Sequence, residues 1–138
     1  LGLFLTQAQV PQTLAAQITE VTTNPLIVLA LLNLLLLVLG MFLHGAAAII
    51  LVVPVVMPLV NAVGIDPIHF GIMVTLNLAI GQQTPPVASV LITSCSIARA
   101  GIWETSRTNL PFIAVLAFVL LLVTYVPEVS LALTHYLD

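Results

Sequence analysis

A short polar segment interrupts an otherwise apolar part of the chain, and its residue types could bind an ion. Residues 78–89 read LAIGQQTPPVAS, with apolar segments on both sides. Pro85 and Pro86 have no backbone N–H, and each ring clashes with the carbonyl four residues earlier. We therefore expect a helix break, with carbonyls near residues 81 and 82 left without helical partners. Gly81 lets the backbone bend and lets another group come close.

The side chains of the break supply neutral oxygen atoms. Thr84 adds a hydroxyl, and Gln82 and Gln83 add amide oxygens and donors. Carbonyls and a hydroxyl without a carboxylate suit a weakly held monovalent cation, and discontinuous helices of secondary transporters bind sodium in this way. The alternative is a kink that serves packing only. The clustering of polar residues, with a second polar break at GMFLHG (residues 40–45), favours a binding site.

Three further polar residues lie within apolar runs. His44 would be costly at membrane depth, which makes it a candidate for substrate or proton binding. It could instead be a neutral imidazole bonded to a backbone carbonyl, or a residue at the headgroup level. For Asn33 we predict hydrogen bonding between helices, and for Asn77, one turn before the break, a place in the lining of the site.

The composition is that of a membrane protein. Hydrophobic residues make up 61% of the 138 residues and charged residues 5%, with a mean hydropathy of +1.26, whereas soluble domains carry about 25% charged residues. A net charge of -3 with two basic residues argues against nucleic-acid binding. The single cysteine, Cys95, permits neither an internal disulfide nor a cysteine metal cluster. No Ser/His, paired-Asp or HExxH arrangement suits a membrane hydrolase, which argues against an intramembrane enzyme.

The N-terminal part predicts two elements. The chain starts at Leu1, and residues 1–6 are interpreted as the end of a transmembrane helix, so that we expect a fragment of a larger membrane protein. Residues 7–24 are too polar for the bilayer core. Leu14, Ile18 and Val21 share one helical face there, which predicts an interfacial amphipathic helix.

Residues 26–60 predict a helical hairpin. Residues 26–43 form an apolar run of about 18 residues, the minimum for a span, and a second run over 48–64 follows almost at once. Either both runs cross the membrane with a tight turn, or they form a re-entrant hairpin. Pro54 and Pro58 weaken the second run as a full helix, which favours the re-entrant hairpin.

The remaining segments are a broken span and a final helix. In the turn at 61–67, Gly64 should end one helix and Asp66 should cap the next. Residues 68–98 then form one broken transmembrane helix, and 110–126 an ordinary one. Both arginines lie in the loop 99–109 between them. The positive-inside rule places this loop in the cytoplasm and the C-terminus outside, in the periplasm.

The sequence from Gly40 to Ile92 resembles the C-terminal half of the large permease subunit of tripartite ATP-independent periplasmic (TRAP) transporters. The stretch GIDPIHFGI and the motif G-x-x-T-P-P at residues 81–86 carry most of the match. VPQTLAAQI and LPFIAVLAFVLLLVTYVP extend the likeness to nearly the whole chain.

The resemblance implies sodium-driven uptake of an organic acid, typically a C4-dicarboxylate or a sialic-acid-like carboxylate, across the bacterial cytoplasmic membrane. The implied partners are a periplasmic substrate-binding protein, a small membrane subunit and the N-terminal repeat of the same permease. The implied fold is an all-α, elevator-type fold of two inverted repeats. This chain would supply the second re-entrant hairpin and the second unwound helix. A different hypothesis is an anchoring subunit without transport activity.

Site residues also follow from the resemblance. A sodium ion, with no other cofactor, would contact four residues: Gly40, Gly81, Thr84 and Val87. From the polar breaks themselves, and not from the resemblance, we expect the substrate cavity to be lined by His44, Gly45, Asn77, Gln82 and Gln83. The chain departs from the family twice: His44-Gly45 stands where an acidic and a small residue are usual, and Ala88 stands where glycine usually follows TPPV.

Overall fold

The structure, a computed structural model, describes residues 24–132. The elements predicted at residues 1–6 and 7–24 lie outside this range, apart from Asn24. The described residues form six helices, so the all-α prediction is confirmed for them. The helices are α1 (Pro25–Phe42), α2 (Gly45–Ala62), α3 (Pro67–Gly81), α4 (Ser89–Ala98), α5 (Ile102–Tyr125) and α6 (Pro127–Leu131). Of these, α1, α2 and α5 are long and apolar enough to cross a membrane.

Local capping chemistry sets the starts of α1 and α3. The Asn24 side chain accepts a hydrogen bond from a backbone N–H two residues later, at 3.0 Å. Asp66 caps α3 in the same way, with its carboxylate accepting from Ile68 N at 2.7 Å and His69 N at 3.3 Å. Gly64, at φ 76°, turns the chain out of α2. The predicted turn and cap are thus confirmed, and each cap of this kind contributes about 1 kcal/mol.

Helices α1 and α2 are joined by two extended residues, Leu43 and His44. Contrary to the expectation from Pro54 and Pro58, the second arm is a full helix, because α2 runs through both prolines. Its inner face packs into the core, and this packing holds the helix where the prolines remove hydrogen bonds. Each arm has 18 residues, which rise roughly 27 Å. This length suits a span of roughly 30 Å, and re-entrant insertion stays a prediction.

The final long helix starts earlier than predicted. Most of the predicted loop 99–109 is helical, because α5 begins at Ile102 and runs through Pro111. Hydroxyl side chains in its first turns donate to the carbonyls four residues earlier, which satisfies polar groups within the helix; they are Thr105, Ser106 and Thr108. Arg107 lies in this end of α5, 5.6 Å from the centre of the Trp103 ring, and Arg99 is the residue that follows α4.

Helix α3 lies at the centre of the described fold. It packs against α1 most extensively, then against α5 and α2. Its fully buried side chains include Phe70 and Met73, which meet Val28 and Leu36 of α1 and Val60 of α2 in one apolar core. Since α3 ends at Gly81 and α4 starts at Ser89, the break at residues 82–88 opens at the end of this central helix.

Candidate functional site

The three residues after α3 close its last turn with their own side chains. Gln82 Nε2 donates to Leu78 O at 3.2 Å, Gln83 Nε2 to Ala79 O at 3.2 Å, and Thr84 Oγ1 to Ile80 O at 2.8 Å. Leu78 O and Ile80 O also accept backbone hydrogen bonds, from Gln82 N and Gln83 N, so that Ala79 O is the one of the three that depends on a side chain. The sequence QQT therefore caps the helix as well as bringing oxygen atoms to the break.

Gly81 O and Gln82 O lack their partners four residues later, as expected, because residues 85 and 86 are prolines, but each accepts another hydrogen bond. Gly81 O accepts from Thr84 N at 3.0 Å, and Gln82 O accepts from Val90 N at 3.3 Å. The chain turns back after the prolines, so that the N-terminus of α4 reaches Gln82. The carbonyl oxygens of residues 83–87 and, at the hairpin tip, that of Gly40 accept no hydrogen bond from residues 24–132.

Thr84 keeps a free lone pair. Because its hydroxyl proton is donated to Ile80 O, the hydroxyl oxygen can still bind a cation or accept a hydrogen bond. Val87 O accepts no hydrogen bond from the described residues. The break thus presents neutral oxygen atoms, and residues 24–132 contain no group of three or more His, Cys, Asp or Glu side chains that could hold a metal ion.

Ala88 adopts a conformation that favours glycine. Its φ is 43° and its ψ 57°, in the left-handed region, and its side chain is buried. An L-residue with a Cβ pays roughly 1–2 kcal/mol for this conformation. This backbone conformation explains why glycine would be expected to follow TPPV. Ala88 adopts it with backbone strain. The bond between Pro85 and Pro86 is cis.

The hairpin tip and the break are in direct contact. A Cβ placed on Gly81 would lie 2.6 Å from Gly40 C and 2.7 Å from Gly40 Cα, so the two backbones touch with no room for a side chain. One turn further, a Cβ on Gly45 would lie 2.7 Å from Gln82 Nε2. The structure thus brings together three residues predicted for the ion site, Gly40, Gly81 and Thr84, in one small region.

A cavity of about 350 Å³ opens beside the contact between Gly45 and Gln82, and Gly40, Gly81 and Thr84 do not line it. Its wall comes from the first turn of α2 and from one face of α3; the lining residues are His44, Gly45, Ala46, Ile49, Thr75, Leu78, Ala79 and Gln82. His44 is exposed and caps α2 without a side-chain hydrogen bond to it. The first N–H groups of α2 are therefore not capped by a side chain, at the positive end of the helix dipole.

The adjacent glutamines face different cavities. Gln82 lies in the cavity at the tip, whereas Gln83 lines a second cavity of about 260 Å³ between α4 and α5. There Gln83 Oε1 accepts from Asn109 Nδ2 at 3.1 Å, which ties the break to α5. Sequence reasoning missed Asn109, since no spacing pattern relates it to the break.

Asn77 does not line either of these cavities. It is fully buried, and its Nδ2 donates to Asn33 Oδ1 at 2.6 Å and to Met73 O at 2.9 Å. Asn33 Nδ2 in turn donates to Thr124 Oγ1 at 2.9 Å. The predicted interhelical role of Asn33 is confirmed, and the structure adds Asn77 to that link between α1, α3 and α5. Asn77 Oδ1 has no partner among the described residues.

A histidine without a predicted role is buried in the first turn of α3. His69 is 3% exposed, and its Nδ1 lies 2.6 Å from Ser130 Oγ. Ser130 donates its own proton to Pro127 O at 2.9 Å, so the imidazole Nδ1–H is the donor to Ser130. This pair fastens α6 to α3. Neither residue carries a sequence signal, because they are far apart along the chain.

Comparison with known proteins identifies the family. The family described as "Tripartite ATP-independent periplasmic transporter, DctM component" matches residues 1–129. The chain is 38% identical over 133 residues to the C4-dicarboxylate TRAP transporter large permease protein of Pseudomonas aeruginosa, covering 96% of this chain and 31% of that protein. It is 41% identical over 132 residues to the sialic acid TRAP transporter large permease protein of Vibrio cholerae. This match covers 96% of this chain and 31% of that protein.

A third relative is an isethionate TRAP transporter permease protein of Oleidesulfovibrio alaskensis, 42% identical over 130 residues. The match covers 94% of this chain and 20% of that protein. The chain thus spans a third or less of the length of these relatives, in which its helices form one part of a larger permease. The match over residues 1–129 is nevertheless nearly complete, and the chain belongs to the family of the large permease component of tripartite ATP-independent periplasmic transporters.

Proposed function

We propose that this chain is part of a permease that couples sodium entry to the uptake of a small organic anion delivered by a binding protein. The observation that carries the proposal is the backbone contact between Gly40 and Gly81. This contact joins the end of α1, just before α2 begins, to the end of α3, where the helix break starts. Non-helical backbone is stable at membrane depth only where it is enclosed by protein or lines a water-filled cavity.

The sodium ion would bind where α1 ends and α3 breaks. The Thr84 hydroxyl oxygen retains a lone pair, and the carbonyls of Gly40 and Val87 accept no hydrogen bond within residues 24–132. Gly81 O accepts one hydrogen bond, and a carbonyl oxygen has two lone pairs. Hard cations prefer oxygen ligands, and neutral ones hold a monovalent ion weakly enough to release it.

The substrate would bind in the cavity at the hairpin tip. The relatives are named for isethionate, C4-dicarboxylate and sialic acid, which are organic acids that carry negative charge. The first turn of α2 presents uncapped N–H groups there, and Gln82 and His44 add donors. A helix N-terminus stabilises an anion through these N–H groups and its dipole. We therefore propose a carboxylate or a similar acid group as the ligand.

The proposed surroundings follow from the family. The permease would lie in the bacterial inner membrane with the Arg107 end of α5 in the cytoplasm and α6 on the periplasmic side. A periplasmic substrate-binding protein and a small membrane subunit would complete the complex, and the part of the permease that precedes this chain would form the other half of the site. The relative of Oleidesulfovibrio alaskensis is named permease protein DctMQ, and we take this double name as support for a small subunit beside the large one. Substrate transfer would proceed by an elevator movement of the hairpin and the broken helix.

The experiment compares two threonines in the complete permease, reconstituted with its partners in liposomes. Thr84→Ala removes a hydroxyl that bonds the carbonyl four residues earlier at 2.8 Å, and Thr93→Ala removes the same bond of the same length in α4. We expect Thr84→Ala to abolish sodium-dependent uptake, whereas Thr93→Ala leaves it unchanged. Normal uptake with unchanged sodium dependence in Thr84→Ala would overturn the proposed ion site.

A further inference from the structure

Another cavity, of about 310 Å³, lies at the end of α3 that is remote from the break. Four helix ends meet there: the start of α1 at Pro25, the start of α3 after Asp66, the end of α5 at Tyr125 and the start of α6 at Pro127. Arg107 lies near the opposite end of α5, and no lysine or arginine lines the cavity. Tyrosine is enriched where a membrane meets water, and we therefore place the cavity at a membrane surface.

His69 brings a buried hydrogen-bond acceptor to this cavity. The side chain is 3% exposed, and its Nδ1–H donates to Ser130 Oγ. In a neutral imidazole the other nitrogen, Nε2, is then an acceptor. Nε2 has no hydrogen-bond partner among residues 24–132, yet, unlike Asn77 Oδ1, it is not fully sealed from solvent. Because the ring lines the cavity, the donor that Nε2 requires must come from within it.

Asp66 brings a second acceptor to the same cavity. Both of its capping bonds, from Ile68 N and His69 N, end on Oδ1. Oδ2 accepts no hydrogen bond from the described residues. The buried hydroxyl of the wall, that of Thr124, already donates to a carbonyl of its own helix and accepts from Asn33. The free polar atoms of Asp66 and His69 are therefore both acceptors.

The two acceptors select a cationic hydrogen-bond donor. An anion would be repelled by the Asp66 carboxylate, and hard metal cations prefer oxygen ligands to imidazole. Softer metal ions bind imidazole, but residues 24–132 hold no group of three or more side chains that could complete such a site. Much of the remaining wall is apolar, with Leu29, Ile65 and Leu131, which suits a carbon chain better than a hydrated ion.

We propose that this cavity binds a primary ammonium group carried on a short carbon chain. Its N–H groups would donate to Asp66 Oδ2 and His69 Nε2. Such a group occurs in the headgroup of phosphatidylethanolamine and in soluble amines such as ethanolamine. Leu26 lines the cavity and is 51% exposed, so the apolar wall continues onto the outer face of α1, where acyl chains of a lipid would lie. The proposal is independent of the sodium and substrate sites, which lie at the other end of α3.

The first test measures the melting temperature of the complete permease with its small subunit, washed free of native lipid in detergent. Dioleoyl phosphatidylethanolamine and dioleoyl phosphatidylcholine share acyl chains, phosphate and net charge, but the trimethylated headgroup of phosphatidylcholine has no N–H donor. We expect phosphatidylethanolamine to raise the melting temperature, because a ligand of the folded state stabilises it, and phosphatidylcholine to leave it unchanged.

Ethanolamine without lipid separates the two sources of the ammonium group. A rise with ethanolamine assigns the cavity to a soluble amine, and a rise with phosphatidylethanolamine alone assigns it to the lipid headgroup. Equal rises with the two lipids would show that N–H donors are not recognised and would overturn the proposal. The absence of any rise with phosphatidylethanolamine and with ethanolamine would overturn it as well.

The second test locates the ligand by substitution. Asp66→Asn removes the charge but keeps an equally good cap for α3, and His69→Phe removes the acceptor but keeps an aromatic ring. Each should weaken binding of whichever compound raised the melting temperature, phosphatidylethanolamine or ethanolamine, by about tenfold or more, because a hydrogen bond to a charged group is lost. Glu128→Gln removes a carboxylate of α6 that does not line the cavity, and it should bind as wild type. Unchanged binding in Asp66→Asn, or an equal loss in Glu128→Gln, would contradict binding in this cavity.

Discussion

Replacement of Gly81 by alanine perturbs the contact on which the proposed site depends. The added Cβ would lie 2.6 Å from Gly40 C, 2.7 Å from Gly40 Cα and 2.9 Å from Met41 N. Carbon atoms in good contact are about 3.5–4.0 Å apart, so α1 and α3 must separate by roughly 1 Å. All three contacts are with backbone, which cannot rotate away as a side chain would.

The expected cost follows from overpacking, which is typically about 1–3 kcal/mol. A loss of about 1–2 kcal/mol changes the ratio of folded to unfolded protein by a factor of roughly 5–30. Gly40→Ala should cost less, because its Cβ would meet Leu78 Cα at 3.2 Å and Gly81 Cα at 3.3 Å. The separation of the two helices should also move the ligands of the proposed ion site apart and impair sodium-dependent uptake.

The assay is thermal unfolding of the purified complete permease in detergent, followed by uptake in liposomes. We expect the melting temperature to fall most for Gly81→Ala and less for Gly40→Ala. Thr93→Ala, in which one exposed hydroxyl is lost from α4, serves as a control for substitution in a neighbouring helix. A Gly81→Ala permease as stable and as active as wild type would refute the close backbone contact.

Two hydrogen-bonded pairs yield further predictions. Asn77→Ala and Asn33→Ala should each destabilise the permease. A double-mutant cycle should show a coupling of about 0.6 kcal/mol and at most about 1.7 kcal/mol, the mean and the maximum measured for hydrogen bonds between membrane helices. Strictly additive effects in thermal unfolding would contradict the link between α1 and α3. Ser130→Ala should free α6 from His69 at a cost of about 1 kcal/mol, seen as faster limited proteolysis near Pro127. If Ser130→Ala leaves the cleavage rate unchanged, the pair does not fasten α6. The same holds if His69→Ala raises the cleavage rate further in the Ser130→Ala background.

Features set by neighbouring residues could be predicted from the sequence. Asp66 before Pro67 predicts a capped helix start, and Gly64 predicts the end of the preceding helix, because both depend on local backbone geometry. The apolar runs predict membrane helices, because about 18 consecutive apolar residues without charges are long enough to cross a bilayer. Local signals failed at α5, where hydroxyl groups that suggest a loop are satisfied inside the helix.

Features that depend on distant contacts could not be predicted. Gln82 and Gln83 are adjacent and chemically identical, yet one faces the hairpin tip and the other bonds Asn109 of α5. Asn77 carries a polar side chain near the break, but its partner Asn33 on α1 turns it into the core. In each case the role is decided by the helix that packs opposite, and this is not encoded in the local sequence.

The most direct test of the account is sodium binding by the complete permease. A ligand that binds only the folded protein stabilises it by about 2.7 kcal/mol at a concentration one hundred times its dissociation constant. Melting temperatures are therefore measured in increasing sodium chloride against matched choline chloride. The account predicts a sodium-specific rise in wild type and in Thr93→Ala that is lost in Thr84→Ala. The same rise in Thr84→Ala, or an equal rise with choline in wild type, would contradict a sodium site at the break.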